Sequence, residues 1–238
     1  MLIFWRLVLG HLIADFTLQS NFVNHWKRSN VWGMLFHSAM HPVVNLLLTY
    51  RYLGDYWVDN QYFRLQGWAC VLIIFITHFV EDQWRVFTIF KFHTSDNTLY
   101  FVWDQFIHYA VIFMVFPLEM LSGGEMQRLI PERWVILGIL FVLVTHFTTV
   151  MVYFLEKDFF NGVFPDFDAK YLGMAERLVL CLCFFLPGRL WFPMALAWTA
   201  YLIYLKLRRI QDITWLNMAV GGVASVLCGF VGRAVYFT

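Results

Sequence analysis

Long apolar segments alternate with short polar clusters along the whole chain. An α-helix needs about 20 apolar residues to cross the hydrocarbon core of a bilayer, and eight segments come close to that length. We predict spans at Leu2–Phe22, Gly33–Leu53, Gly67–Phe90, Leu99–Met120, Trp134–Leu155, Tyr171–Pro187, Trp191–Leu205 and Trp215–Tyr236. The pattern predicts an all-α, polytopic membrane protein of about eight transmembrane helices, with residues 1–238 forming a single integral membrane domain.

Composition agrees with a membrane protein. Hydrophobic residues make up 61% of the chain, charged residues only 14%, and the mean hydropathy is +0.62. A formal net charge of +1 without a long basic run argues against nucleic-acid binding. The first residues are apolar at once and lack a cleavage site, so we expect them to be retained as the first span. The four cysteines lie in apolar segments and are interpreted as buried thiols.

The distribution of Lys and Arg predicts the orientation. The loops after the odd-numbered spans hold Lys27, Arg28, Arg85, Lys91, Lys157, Lys170, Lys206, Arg208 and Arg209. The remaining loops hold Arg51, Arg64, Arg128, Arg133 and Arg189. The positive-inside rule then favours a protein with both termini outside and with the loops after spans one and three in the cytoplasm.

The first four spans each carry two polar residues four positions apart. The pairs are His11 with Asp15, His37 with His41, His78 with Asp82, and Asp104 with His108. Residues four apart lie on one face of a helix, which lets both side chains reach a common metal ion. In an antiparallel arrangement all four pairs fall at the same depth, so residues 1–120 are predicted to form a His/Asp-lined four-helix bundle, with residues 121–238 as supporting helices.

Five imidazoles and three carboxylates are enough to bind two divalent ions, and this donor set suits Zn, Mn or Fe. Buried ionisable residues in a membrane are costly unless they have partners, and bound cations would offset that cost. The alternative is a buried hydrogen-bond network that locks the helices together.

Further polar residues surround these pairs. Lys27, Arg28, Arg85 and Lys91 could form a basic rim that holds a phosphate, although such residues also set membrane topology. Glu81 is the candidate general base. Gln19 extends the polar face of Asp15 by one turn. The residues expected to act in catalysis are Glu81, Gln19 and Gln105. His146, Glu176 and Arg177, in later spans, are assigned no role.

These residues resemble a family of bacterial multi-pass inner-membrane proteins catalogued as domain of unknown function thirty-three-oh-seven. The motif comprises His11, Asp15, Gln19 and Lys27, then His37 and His41, then Thr77, His78 and Asp82, then Asp104, Gln105 and His108. The segment "LGMAERL" and the basic residues from Lys206 are similar to the longer members. The resemblance implies a protein of the bacterial inner membrane and supplies no reaction.

The donor set favours an intramembrane metal-dependent hydrolase with a dinuclear site near the cytoplasmic side, acting on a phosphorylated or amphiphilic substrate in the lipid bilayer. Three other hypotheses stay open. The same pairs could line the path of a divalent-cation or proton transporter. The chain could be an accessory or scaffold protein with a structural polar network. A di-iron hydroxylase is the third, because "HSAMH" contains one H-x-x-x-H box.

Overall fold

A computed structural model describes residues 2–116, 132–210 and 214–237. The chain divides into two compact units, Met1–Val135 and Ile136–Thr238. The sequence predicts one membrane domain with halves at residues 1–120 and 121–238, and that interpretation stays a prediction.

The first helix is interrupted close to the polar pair that it carries. Helix α1, Leu2–Leu12, continues as a π-helical segment, Ile13–Thr17, and the chain then bends by 88° into α2, Asn21–Ser29. Ser20 causes the restart, because its hydroxyl accepts a hydrogen bond from the backbone N–H of Val23 and so caps α2. The predicted first span therefore ends at Thr17 rather than Phe22.

Three longer helices complete the bundle of the first unit. Asn30 caps α3, Val31–Thr49, which ends in a 3₁₀ turn at Tyr50–Tyr52. A two-stranded antiparallel hairpin follows, with β1 at Tyr56–Asp59 and β2 at Arg64–Gln66. Helix α4, Gly67–Lys91, and helix α5, Thr98–Val115, come next. Asn97 caps α5 through the backbone N–H of Tyr100.

The second unit is also helical. Helix α6, Arg133–Val142, starts just before the boundary and continues through a π-helical segment, Leu143–Phe147, into α7, Thr148–Phe160. Helices α8, Phe167–Cys183, α9, Trp191–Leu207, and α10, Trp215–Phe237, follow. Val144, Cys181 and Cys228 form one buried apolar cluster, and Leu180, Cys183, Phe184 and Ala195 form another.

Each predicted span overlaps at least one helix, but the structure does not support eight spans. Within the described ranges, four helices are long and apolar enough to cross a membrane: Val31–Tyr52, Thr98–Val115, Arg133–Phe160 and Trp215–Phe237. The bent pair Leu2–Thr17 and Asn21–Ser29 would make a fifth if it counts as one span. Helices α8 and α9 have only 17 residues each, and the 25-residue α4 carries Glu81, Asp82 and Arg85 in its second half. The predicted end of span four, at Met120, lies outside the described residues.

Candidate metal centre

Four helices of the first unit direct polar side chains into one buried cluster. We call its eight residues the His/Asp cluster. Its members are His11, Asp15, His37, His41, His78, Asp82, Asp104 and His108, and none is more than 7% exposed. Such burial of ionisable groups is costly unless they bind partners.

Local helix geometry explains how each helix presents two donors. In α3, α4 and α5 the two residues are one α-helical turn apart and face the same direction. In the first helix, Asp15 lies in the π-helical segment, a wider turn that recurs at functional sites. His11 Nε2 and Asp15 Oδ2 remain 3.6 Å apart across this segment.

Asp15 is the meeting point of three helices. Its Oδ1 atom lies 3.2 Å from His37 Nε2, 3.3 Å from His41 Nε2 and 3.5 Å from His78 Nε2. His37 Nε2 is also 3.3 Å from Asp82 Oδ2. Two ligands of a tetrahedral ion, each about 2.1 Å from it, lie roughly 3.4 Å apart, so these separations fit a metal site.

The donors divide into two main groups. Asp15 and three histidines, His11, His41 and His78, form what we call the nitrogen-rich group, in which the ligand atoms all lie within 4.8 Å of one another. Glu81, Asp82, Asp104 and His108 form the carboxylate-rich group, which meets the same limit. A third set, His37, His78 and Asp82, overlaps both.

The carboxylate-rich group surrounds one imidazole. His108 Nε2 lies 3.3 Å from Glu81 Oε2, 3.6 Å from Asp82 Oδ1 and 3.7 Å from Asp104 Oδ1. The side chain of Glu81 is 14% exposed, against 3–5% for the two aspartates. Glu81 is therefore the member closest to the surface.

Several donor atoms in both groups make no hydrogen bond. In the part of the chain that the structure describes, these atoms are Asp15 Oδ1, His41 Nε2, Glu81 Oε2, Asp104 Oδ1 and His108 Nε2. A purely structural network would satisfy buried polar atoms, because an unsatisfied one costs about 1–3 kcal/mol. Within each group the unsatisfied nitrogen lies 3.3–3.7 Å from the unsatisfied oxygens, which is the arrangement expected of ligands for cations.

Gln105 connects the two groups, whereas the side-chain oxygen of Gln19 makes no hydrogen bond to either. The side-chain amide of Gln105 donates to Asp15 Oδ2 and to Asp104 Oδ2, each at 3.1 Å, and its Oε1 lies 3.1 Å from His11 Nε2. Gln19 lies half-buried between the π-helical segment and α2. Its Oε1 makes no hydrogen bond to any described residue.

Two basic side chains contact the outer oxygens of the cluster. Lys27 Nζ donates to Asp82 Oδ2 and Arg85 Nη1 donates to Asp104 Oδ2, each at 2.9 Å. Each of these two cations pairs with one cluster carboxylate. Among the described residues, Asp15 and Glu81 form no ion pair with Lys or Arg, and a bound cation would partner them.

The other two predicted rim residues lie further from the cluster. Arg28 Nη1 donates to Asp96 Oδ2 at 3.1 Å, and Asp96 also accepts from Arg85 Nη2 at 3.1 Å. Lys91, the last residue of α4, is exposed.

Sequence reasoning missed polar residues at the edge of the cluster. His37, His41, Asn45 and Thr49 are all fully buried on α3, and their spacing of four could have identified Asn45 and Thr49. Asp96 lies in the connection before α5, where local sequence gives no signal of its pairing with two arginines.

The second unit has a separate polar contact, around Arg177. Its Nε donates to the backbone carbonyl of Val144 at 3.0 Å, and its Nη2 donates to the carbonyl of Thr145 at 3.3 Å and to the hydroxyl of Thr149. These acceptors lie in and beside the π-helical segment of that unit. His146, next to Thr145, is half-buried.

No curated protein and no solved structure matches this chain.

A sequence model of a protein family matches residues 3–137, which is more than half of the chain. The matched region contains every residue of the His/Asp cluster, together with Lys27, Glu81, Arg85 and Gln105. The match confirms the resemblance found in the motifs of the first four helices. The chain therefore belongs to the family described as Protein of unknown function (DUF3307).

Proposed function

We propose that this protein is an intramembrane metal-dependent hydrolase that binds two divalent ions, drawn from Zn, Mn and Fe, and cleaves a phosphorylated amphiphile. The observation that carries the proposal is the convergence of buried, unsatisfied His and carboxylate atoms in two adjoining groups. A dinuclear site with nearby basic residues suits phosphate-ester hydrolysis.

The metal ligands would come from four helices. The nitrogen-rich group would hold one ion, and Asp82, Asp104 and His108 would hold the other. Bound divalent ions would supply Lewis acidity toward a phosphoryl oxygen and lower the pKa of water. Gln105 keeps Asp15 and Asp104 oriented through its two amide hydrogen bonds.

Glu81 is our candidate for the general base. Its Oε2 atom makes no hydrogen bond to a described residue, and it is the most exposed carboxylate of its group. A base must be within reach of both the reacting water and the exit for the proton, and Glu81 is the carboxylate placed between the cluster and the surface.

Lys27 and Arg85 are our candidates for substrate binding. Lys27 Nζ and Arg85 Nη1 each donate a hydrogen bond to a cluster carboxylate, so both cations lie directly beside candidate metal ligands. A phosphate group placed beside those carboxylates would accept charge-assisted hydrogen bonds from both side chains. Arg28, held by Asp96, supports the position of Arg85.

The position of helix α2 favours the hypothesis that the substrate is amphiphilic. The chain turns by 88° between the first helix and α2, so α2 would lie in the membrane surface if the first helix crosses the bilayer. Phe22 on α2 is 72% exposed, while Lys27 of the same helix reaches Asp82. The other exposed residues of α2 are polar, and a short polar helix that carries an exposed aromatic residue and basic side chains is typical of the interface between lipid and water.

We further propose the bacterial inner membrane as the location, with both termini outside and the cluster near the cytoplasmic face. Lys27 and Arg28 lie in the last turn of α2, and Arg85 and Lys91 lie in the second half of α4, so basic residues gather toward the ends of these two helices. The positive-inside rule places such a basic end in the cytoplasm.

The test is hydrolysis by the purified full chain in lipid nanodiscs loaded with Zn²⁺, Mn²⁺ or Fe²⁺. We expect release of inorganic phosphate or of a phosphorylated headgroup from a lipid phosphate ester. We expect Glu81→Gln to lose turnover while retaining its ions, and Lys91→Ala to match the wild type. Absence of release from phosphate monoesters and diesters alike would overturn the proposal, as would ion uptake into proteoliposomes without turnover, which is the transporter result.

A further inference from the structure

We infer that the two groups select different ions: the nitrogen-rich group takes a borderline ion such as Zn²⁺, and the carboxylate-rich group takes a harder ion such as Mn²⁺. The inference rests on the proposed function, because it concerns the same dinuclear site.

The nitrogen-rich group has the donors of a zinc site. Three imidazoles and a single carboxylate converge there, and the rings of His41 and His78, tilted by 36°, have centroids 3.7 Å apart. His41 is fully buried, and its Nε2 lies 3.3 Å from Asp15 Oδ1 without a hydrogen bond to a described residue. Imidazole nitrogen favours Zn, Cu, Fe and Ni over Mg and Ca.

The carboxylate-rich group has the opposite balance. One imidazole, His108, faces oxygens of Glu81, Asp82 and Asp104 at 3.3–3.7 Å. Asp104 Oδ1 and His108 Nε2 are buried and make no hydrogen bond to any residue that the structure describes. Carboxylate oxygen suits Mg and Mn, and partial exposure of Glu81 leaves room for the water that these ions retain.

Lys27 disfavours metal binding by the third set of donors, which overlaps both groups. His78 Nε2 can bind one ion only, so the nitrogen-rich group competes with the set of His37, His78 and Asp82. Lys27 Nζ already occupies Asp82 Oδ2 at 2.9 Å, which disfavours that set. Asp82 is left with Oδ1, which faces His108 at 3.6 Å.

Zn²⁺ binds most sites of nitrogen and oxygen donors more tightly than Mn²⁺ does. The inference is therefore tested with only enough zinc to fill one of the two groups. The metal-free full chain in detergent receives one equivalent of Zn²⁺ and excess Mn²⁺, followed by desalting. Mass spectrometry then gives both contents, and electron paramagnetic resonance reports bound Mn²⁺. We expect one Zn and one Mn per chain.

The variants assign each ion to its group. We expect His41→Ala to lose Zn and keep Mn, and Asp104→Asn to lose Mn and keep Zn. His146→Ala and Asp59→Asn, which change the same residue types outside the cluster, should retain both ions. Circular dichroism and size-exclusion chromatography confirm that each variant is folded.

The possible failures are distinguishable. If either variant loses half of each ion, the groups do not discriminate and the inference is overturned, although a dinuclear hydrolase could stand. If both ions bind as expected but no ester is cleaved, the proposed reaction fails while the inference holds. If the wild type binds neither ion, both are overturned.

Discussion

Lys27 on α2 donates a 2.9 Å hydrogen bond to Asp82 on α4, across 55 residues of sequence. The contact fixes the short helix beyond the 88° bend to the buried cluster of the first unit. It also places a lysine ammonium directly beside a candidate metal ligand. Helix α2 and the candidate site are therefore joined by one side chain.

Replacement of Lys27 by Met tests the proposed role of Lys27 in substrate binding. The variant removes a charge-assisted hydrogen bond to the substrate, worth roughly 1.5–3 kcal/mol, so KM should rise about tenfold or more. Asp82 loses its counter-charge, so divalent ions should remain bound at least as tightly. Steady-state kinetics and metal content measure the two effects, with exposed Lys91→Met as the control. Unchanged KM with loss of metal would contradict the assignment.

The position of α2 predicts a shallow membrane depth for Phe22. An environment-sensitive label on Phe22→Cys should be quenched most by lipids that carry the quencher near the headgroup. The same label on Val43→Cys, which is 57% exposed in the middle of α3, should be quenched most by quenchers deep in the acyl chains. Equal depth for both labels, or no quenching of the first, would contradict an interfacial α2.

Gly10 permits the close approach of α1 and α3. A Cβ atom at this position would overlap the side-chain oxygen of buried Asn45. We expect Gly10→Ala to lower the free energy of unfolding by about 1–3 kcal/mol, because packed interiors accommodate extra atoms poorly. Thermal unfolding in detergent measures the loss. Gly54→Ala, where a Cβ would meet nothing within 4 Å, is the control, and equal stability of the two variants would contradict the packing.

Arg177 should stabilise the second unit. Glutamine at this position cannot reproduce the contacts to the Val144 and Thr145 carbonyls and the Thr149 hydroxyl. Loss of these charged hydrogen bonds should cost roughly 1.5–3 kcal/mol of unfolding free energy. The comparison is Arg189→Gln, since Arg189 is exposed. A variant as stable as this control would show that the buried contacts contribute nothing.

The helical period explains which parts of the site were predictable. Each of the pairs on α3, α4 and α5 could be predicted from spacing alone, because residues four apart share a face in any α-helix. An antiparallel arrangement of the helices then predicts that those faces lie at one depth. The same rule, applied further along α3, would have added Asn45 and Thr49.

Other features depend on tertiary contacts that a linear pattern does not contain. Ser20 begins a new helix inside the apolar run that predicted the first span, and a capping residue is easily overlooked there. Asp96 forms ion pairs with Arg28 of α2 and Arg85 of α4. The structure does not support the predicted count of eight spans, because an apolar run in the sequence does not fix the length of the helix that forms. Helix α8, for example, has 17 residues, fewer than the roughly 20 that cross a bilayer.

The proposed function depends on metal binding by the His/Asp cluster. The most direct test is the metal content of the full chain, purified in detergent without chelators after expression with Zn, Mn and Fe, by inductively coupled plasma mass spectrometry. Wild type should carry about two equivalents of divalent metal, and folded Asp15→Ala and His78→Ala variants should lose most of it. His146→Ala should match the wild type. Absence of bound metal from the wild type would contradict the account and leave a structural polar network or a proton path.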